Sequence, residues 1–167
     1  AGASYAAFPH GDKHGRKLPL MNNLVETLGL QDLIAKTGIR FDSSNFEDIY
    51  ASIHKEPSLA EVREELEAEV HRYFAKMELP EHPTIYDHLV LSLRNKDFIA
   101  TFNWDPFLVQ AIRRNGRMFK LPRVLFLHGN VEVAYCADGH MMGNNGATCN
   151  HCGSLLTPTK LLYPVSE

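Results

Sequence analysis

The feature that most constrains the fold is a strand, helix, strand order in the second half of the chain. A short apolar run of β type spans residues 98–102, a helical pattern spans residues 106–115, and a second apolar run spans residues 124–127. This order predicts a βαβ unit, in which the two strands are parallel and helices pack on the sheet. We therefore expect an α/β fold built on a parallel sheet with helices on both faces.

Polar residues follow both predicted strands. Asn103 and Asp105 come directly after the first strand, and His128 ends the second. Ligands of parallel sheets bind at the carboxyl ends of the strands, so we expect these three side chains to share a site. Histidine suits proton transfer near neutral pH, and an amide can both donate and accept a hydrogen bond. His128 and Asn103 are therefore the catalytic candidates.

Each of these residues also has a purely structural interpretation. A lone histidine before a glycine is often an ordinary strand end. Asp105 precedes a proline, and Asp-Pro commonly begins a helix, so Asp105 could simply cap the helix that follows.

All three cysteines lie within the 17 residues from Cys136 to Cys152. Cys149 and Cys152 form a C-x-x-C knuckle, and Cys136 with His140 forms a candidate partner pair upstream. Two such pairs can place four ligands around one tetrahedral Zn²⁺, which predicts a closed structural site. His151 competes with His140 for the fourth position, and a pair of free thiols on a turn is the alternative interpretation.

Charge and composition exclude some classes of partner. The formal net charge is −3, and no apolar run approaches the ~20 residues of a membrane helix. We expect neither nucleic-acid nor membrane binding. Three cysteines cannot form a disulfide framework, which favours a reducing, cytoplasmic location.

Upstream of the βαβ unit, apolar spacing predicts helices over residues 19–33, 45–53, 58–79 and 84–93.

Five segments resemble the sirtuin family, in the family's order. They are Ala1-Gly2-Ala3-Ser4, similar to the G-A-G-I-S phosphate loop; Thr101-Phe102-Asn103-Trp104-Asp105, similar to T-Q-N-I-D; Leu127-His128-Gly129-Asn130, similar to L-H-G-S; the pair Cys136 and His140; and Cys149-Asn150-His151-Cys152-Gly153 with Leu155, Leu156 and Pro158, similar to the second zinc pair and its continuation.

This resemblance implies a Rossmann-like domain that takes NAD⁺ as substrate and carries a structural Zn²⁺. The segment Ala1, Gly2, Ala3 and Ser4 would approach the diphosphate with backbone N–H groups. Asn103 and Asp105 would hold the nicotinamide ribose, and His128 would accept a proton from a ribose hydroxyl or a water. The metal ligands would be Cys136, His140, Cys149 and Cys152.

The chain departs from sirtuin deacylases in its first loop, in a helical insert at about residues 41–97, and in a short zinc insert that uses a histidine. The family's G-I-P-D-F-R is absent, and residues 17–23 have the sequence KLPLMNN in its place. The chain is therefore most similar to the sirtuin-like, NAD-hydrolysing domains of bacterial antiphage defence proteins, which implies an NAD⁺ glycohydrolase. The alternatives are an NAD-dependent protein-lysine deacylase and a non-catalytic NAD⁺ sensor.

The resemblance also implies a domain organisation. Residues 1–134 would form the Rossmann-like part, incomplete at both ends, with a helical insert at about 41–97. Residues 135–156 would form the zinc module, and residues 157–167 would return to the Rossmann-like part. The family's last strands, which contact the adenosine half, would follow residue 167, so we expect part of the cofactor site to be missing. Expected partners are NAD⁺, further domains of the parent chain, and a second copy or a defence-system protein.

Overall fold

A computed structural model of the protein describes residues 2–116, 123–163 and 165, and over these residues the fold is mixed α/β. The α-helices are α1 (Gly2–Ala7), α2 (Leu24–Leu28), α3 (Gln31–Ala35), α4 (Phe46–His54), α5 (Ala60–Ala75), α6 (Ile85–Ser92) and α7 (Phe107–Asn115). The strands are β1 (Phe98–Thr101), β2 (Arg123–Phe126), β3 (Val133–Tyr135), β4 (Met142–Asn144) and β5 (Thr157–Pro158). None of the helices in the described part of the chain combines the length and apolar character needed to cross a bilayer.

The predicted parallel strand pair is confirmed. β1 and β2 are parallel, with Phe98 opposite Arg123 and Thr101 opposite Phe126. The pairing continues one step past the strands, because the Leu127 N–H donates to the Thr101 carbonyl at 2.8 Å. The two carboxyl ends therefore meet at one edge, and α7 lies between the strands in the chain.

The two faces of this small sheet differ. Ile99, Val124 and Phe126 pack against the main apolar core. On the opposite face Phe98 and Leu125 are each at least half exposed. Coverage of both faces by helices, which the sequence predicted, is therefore not confirmed.

The long helix α5 supplies the centre of the core, as its sequence pattern predicted. Leu66, Val70 and Phe74 are almost completely buried at the predicted 3.6-residue spacing, and Met77 is buried just past the end of α5, which ends before the predicted residue 79. Fully burying a side chain of this kind contributes about 1.5–3 kcal/mol relative to leaving it exposed. Other residues of the same core come from α2, α3, α4, α6 and α7, so the insert and the βαβ unit share one interior.

The start of α5 differs from the sequence prediction. The predicted helix over residues 58–79 would begin at Ser58, but a 3-10 turn at Pro57–Leu59 precedes α5 and no side chain caps α5. Proline at the first helical position begins the helical backbone early, which leaves Ser58 inside the turn rather than before it. A capping box does form one helix later, between Thr84 and Asp87 at the start of α6.

The cysteine-rich part forms a second, smaller unit. β3 pairs antiparallel with β4 on one side and β5 on the other. Its interior consists of Ala134, Cys136, Cys149 and Leu156. This unit begins shortly after His128 in the chain, and it therefore directly follows the carboxyl end of β2.

Candidate functional site

A cavity of about 240 Å³ lies at the carboxyl ends of β1 and β2, where the sequence predicted a site. Its lining comes from the two strand ends, from α4 and α5, and from the loop before α2. The lining residues are Leu18, Pro19, Met21, Glu47, Phe74, Phe102, Asn103, Trp104, Asp105 and His128. The three predicted residues Asn103, Asp105 and His128 therefore face one cavity.

Ser4 connects the first helix to this edge. It is fully buried, and its hydroxyl donates to Asp105 Oδ2 at 2.7 Å. Asn103 Nδ2 donates to the same hydroxyl at 2.9 Å, and the Tyr86 hydroxyl lies 2.6 Å away. A serine hydroxyl has one proton and two lone pairs. Because its proton goes to Asp105, we infer that Tyr86 donates to Ser4, which leaves the Ser4 hydroxyl with a complete set of partners.

Asp105 lines the cavity and also accepts a hydrogen bond at the start of α7, whose cap position is Pro106. Its Oδ1 accepts from the Phe107 N–H at 3.4 Å at the start of α7, and its Oδ2 accepts from Ser4. Burial raises the pKa of Asp105, and the hydrogen bond from Ser4 opposes that rise. Burial also raises the pKa of Tyr86 to about 12, so the phenol keeps its proton. The expected cap is therefore replaced by a hydrogen bond to the first residue of α7, and the ligand contact of Asp105 stays a prediction.

His128 is half-buried and lies edge-on to Phe102, with the ring centres 4.8 Å apart. Its carbonyl accepts from the Leu162 N–H at 2.9 Å. Gly129 follows with a φ of +76°, and a Cβ there would lie only 2.2 Å from the Lys160 carbonyl oxygen. A glycine is required at this close approach, which fixes the backbone that presents His128.

Asn130 joins the two strand ends. Its side-chain amide donates to the Asp105 carbonyl at 2.7 Å and to the Asn103 carbonyl at 3.3 Å. It is almost completely buried, and its backbone N–H donates to Thr159 Oγ1 at 3.2 Å. The loops that carry Asn103 and His128 are therefore held together by a residue that the sequence interpretation gave no role.

Two further residues at this edge were missed by the sequence analysis. Tyr86 lies in α6 and Glu47 in α4, both in the predicted insert, so no local motif links them to Asn103 or His128. Trp104 is buried, and its indole N–H has no hydrogen-bond partner in residues 2–116, 123–163 and 165. Only the tertiary structure brings these residues together.

Of the described residues in the predicted phosphate segment, only Ser4 contributes to this edge. Gly2 and Ala3 are exposed in the first turn of α1 and do not line the cavity. Ala3 instead lines a separate apolar groove with Tyr86. Ala1 lies outside the described residues.

The four predicted metal ligands converge in the smaller unit. The ligand atoms of Cys136, His140, Cys149 and Cys152 all lie within 4.8 Å of one another. Cys136 Sγ is 3.5 Å from His140 Nδ1 and 3.6 Å from Cys152 Sγ, and Cys149 Sγ is 3.9 Å from His140 Nδ1. His151 is not a member of the group; its ring stacks on His140 with the centres 4.6 Å apart. Three thiols and one imidazole can hold a metal ion such as zinc.

The thiols of this cluster differ in acidity. Burial raises the pKa of Cys136, whereas hydrogen bonds from Ser154 lower the pKa of the exposed Cys152 to about 6. Thiolate is the form that binds a metal. Cys152 is therefore ready to act as a ligand at neutral pH, and metal binding must displace the proton of Cys136.

Comparisons with protein-family models, with curated proteins and with solved structures found no match to this chain.

Proposed function

We propose that the chain is an NAD⁺-consuming enzyme, an NAD⁺ glycohydrolase that cleaves the bond between nicotinamide and ribose. The observation that carries the proposal is the single cavity at the paired strand ends, which Asn103 and His128 share. A polar amide and an imidazole at the carboxyl edge of parallel strands are suitably placed for ligand binding and proton transfer.

The lining of the cavity suits the reactive end of NAD⁺. The nicotinamide of NAD⁺ is a flat, positively charged ring, and Phe74, Phe102 and Trp104 supply aromatic surface for it. Glu47 and Asp105 supply carboxylates, and none of the lining residues in the described part of the chain is lysine or arginine. A cationic ring is therefore favoured there, and the diphosphate would lie outside this cavity.

The reaction divides between these side chains. The carbon–nitrogen bond breaks, its electron pair leaves with nicotinamide, and positive charge develops on the ribose. Water adds to the ribose carbon, and His128 accepts the proton that the water loses. Asn103 orients the ribose hydroxyl or the water, and Ser4 and Tyr86 hold the Asn103 amide in place. Positioning and electrostatics supply most of the rate in such a mechanism.

The sirtuin-like motif order supports the same proposal and extends it. In this proposal β1 and β2 belong to a Rossmann-like sheet, and consumption of cytoplasmic NAD⁺ serves bacterial antiphage defence. Further domains of the parent chain, or a second copy, would then control when hydrolysis begins.

The test follows free nicotinamide and ADP-ribose after NAD⁺ is added to the purified protein. We expect release without any peptide, and a loss of at least about 10²-fold in Asn103→Ala and in His128→Ala. Hydrolysis that survives in both variants would refute the assignment. Release that requires an acylated peptide would indicate the deacylase, and NAD⁺ binding without turnover would indicate a sensor.

We propose further that the metal of the second unit is a structural Zn²⁺. Four protein ligands close a tetrahedral site and leave no position for water or substrate. The ion would brace the segment that follows His128, and bond cleavage would not involve it.

A further inference from the structure

We infer that Glu47 is a catalytic carboxylate that stabilises the positive charge developing on the ribose. This inference rests on the proposed glycohydrolase function and adds a residue that neither the βαβ unit nor the metal cluster contains. Glu47 belongs to α4, far in the chain from Asn103 and His128, yet its side chain lines the same cavity.

Among the described residues, two carboxylates line the cavity, and their environments differ. Asp105 is fully buried, and its oxygens accept from the Ser4 hydroxyl and the Phe107 N–H. The Glu47 carboxylate is half-buried and makes no hydrogen bond or ion pair with any residue in 2–116, 123–163 or 165. The Asp105 carboxylate therefore already accepts hydrogen bonds from the protein, whereas the Glu47 carboxylate is open to a cationic ligand.

The backbone of Glu47 is well anchored. Asn45 caps α4, and its side-chain oxygen accepts from the Glu47 N–H at 2.9 Å. The neighbouring Phe46 is almost completely buried in the main core, and its N–H donates to the Met21 carbonyl at 2.8 Å. Because the Glu47 backbone is fixed, its carboxylate needs little reorganisation when positive charge develops on a ligand beside it.

A simpler role for Glu47 is the general stabilisation of a helix start. Negative side chains in the first turn of a helix interact favourably with its dipole, and Asp48 in the same turn shares this property. Asp48 is exposed, and its carboxylate accepts from Ser43 Oγ at 2.7 Å rather than lining the cavity. Asp48 is therefore a matched control, because removing its charge weakens the same favourable interaction with the dipole of α4.

The chemical step breaks and forms the same bonds as the proposed hydrolysis. As the glycosidic bond breaks, its electron pair leaves with neutral nicotinamide and the ribose becomes an oxocarbenium ion. Glu47 forms no covalent bond; its carboxylate pairs with that cation until water attacks and the released proton reaches His128. Glycoside-cleaving enzymes use carboxylates in the same way for an oxocarbenium-like transition state.

The first experiment compares the kinetics of Glu47→Gln and Asp48→Asn in NAD⁺ hydrolysis. We expect Glu47→Gln to lower kcat by about 10²-fold with little change in KM, because the charge acts mainly in the transition state. Asp48→Asn should stay close to the unmodified protein, and Glu47→Asp should recover part of the loss. Equal rates in Glu47→Gln and Asp48→Asn, with normal hydrolysis in the unmodified protein, would overturn the inference and leave the proposed function intact.

The second experiment measures binding by calorimetry. The cationic probe is a protonated pyrrolidine analogue of the ribose, and the reference is ADP-ribose, whose ribose is uncharged. Transition-state analogues exploit interactions that the ground state lacks. Glu47→Gln should weaken the cationic probe by at least about 10-fold and leave ADP-ribose unchanged, whereas Asp48→Asn should change neither. A parallel loss for both probes would assign Glu47 a structural role. Failure of the unmodified protein to bind either probe or to release nicotinamide would instead refute the proposed function, and this inference with it.

Discussion

The cavity at the β1–β2 edge and the Cys/His cluster differ in how their residues are distributed along the chain. The four cluster residues lie between Cys136 and Cys152, whereas the cavity and its supporting hydrogen bonds use residues from Ser4 to His128. Residues within a short segment lose little conformational entropy when they come together. Residues that are distant in the chain come together only after the core has formed. The comparison teaches that one site depends on a local motif and the other on the packing of several helices.

The largest expected effect concerns the cluster. If Zn²⁺ holds the smaller unit together, a chelator or Cys149→Ser should remove folding energy of the order of 10 kcal/mol from that unit. Hydrogen exchange should then increase from Tyr135 to Leu155, while β1 stays protected. Elemental analysis should give one zinc per chain in the unmodified protein.

The same metal analysis separates the two histidines. His140→Ala should lower the zinc content, and His151→Ala, whose ring stacks on His140 without joining the ligand group, should keep it. Zinc well below one per chain in the unmodified protein, with three freely reactive thiols, would mean that the segment is an ordinary loop.

The next largest effect is expected at the close contact between Gly129, which follows β2, and Lys160, which follows β5. Gly129→Ala would put a Cβ against the Lys160 carbonyl in a left-handed backbone, and we expect a loss of about 3 kcal/mol or more from strain and overpacking together. Gly38→Ala is the matched control, because its φ is +66° but no atom lies within 4 Å of the new Cβ. It should cost only about 1–2 kcal/mol. Urea unfolding measures both, and equal losses would contradict the proposed close approach.

A third effect lies in the helical region. Asp87 accepts hydrogen bonds from Thr84, Arg114 and Asn115. Burial alone would raise the pKa of Asp87, but these hydrogen bonds outweigh it and hold the pKa well below its ordinary value of 3.8. We expect Asp87→Asn to cost about 3 kcal/mol at pH 7, because Arg114 loses its buried partner.

The sign of the pH dependence follows from the lowered pKa of Asp87. Its stabilisation is fully present above pH 3.8 and declines as pH falls towards the folded-state pKa. The difference in unfolding free energy between the unmodified protein and Asp87→Asn should therefore shrink below about pH 4. Urea titrations at pH 7 and pH 3 measure it, and a constant difference would exclude this linkage.

The smallest effect tests the hydrogen bonds behind the cavity. Tyr86→Phe removes the hydroxyl that lies 2.6 Å from Ser4 and 3.4 Å from Asn103 Nδ2. The ring still stacks on Phe8, so we expect a loss of about 1 kcal/mol. Thermal unfolding measures it, and an unchanged melting temperature would show that Ser4 is satisfied without Tyr86.

The amino-acid sequence by itself determined the local features of this protein. Apolar spacing predicted the buried stripe of α5, and the strand, helix, strand order predicted that Asn103 and His128 lie at one edge. The C-x-x-C spacing predicted the cluster and left His140 and His151 open. These inferences succeed because a helix stripe, a βαβ unit and a metal knuckle each depend on residues that are close in the chain.

Tertiary structure alone decided the rest. It selected His140 over His151, placed Glu47 and Tyr86 beside Asn103, and gave Asn130 its role between the two strand ends. It also placed Gly2 and Ala3 away from the cavity. The physical reason is that these positions follow from how α1, α4 and α6 pack on a shared core, and the pattern of a single helix carries no information about which distant residue its polar side chains will meet.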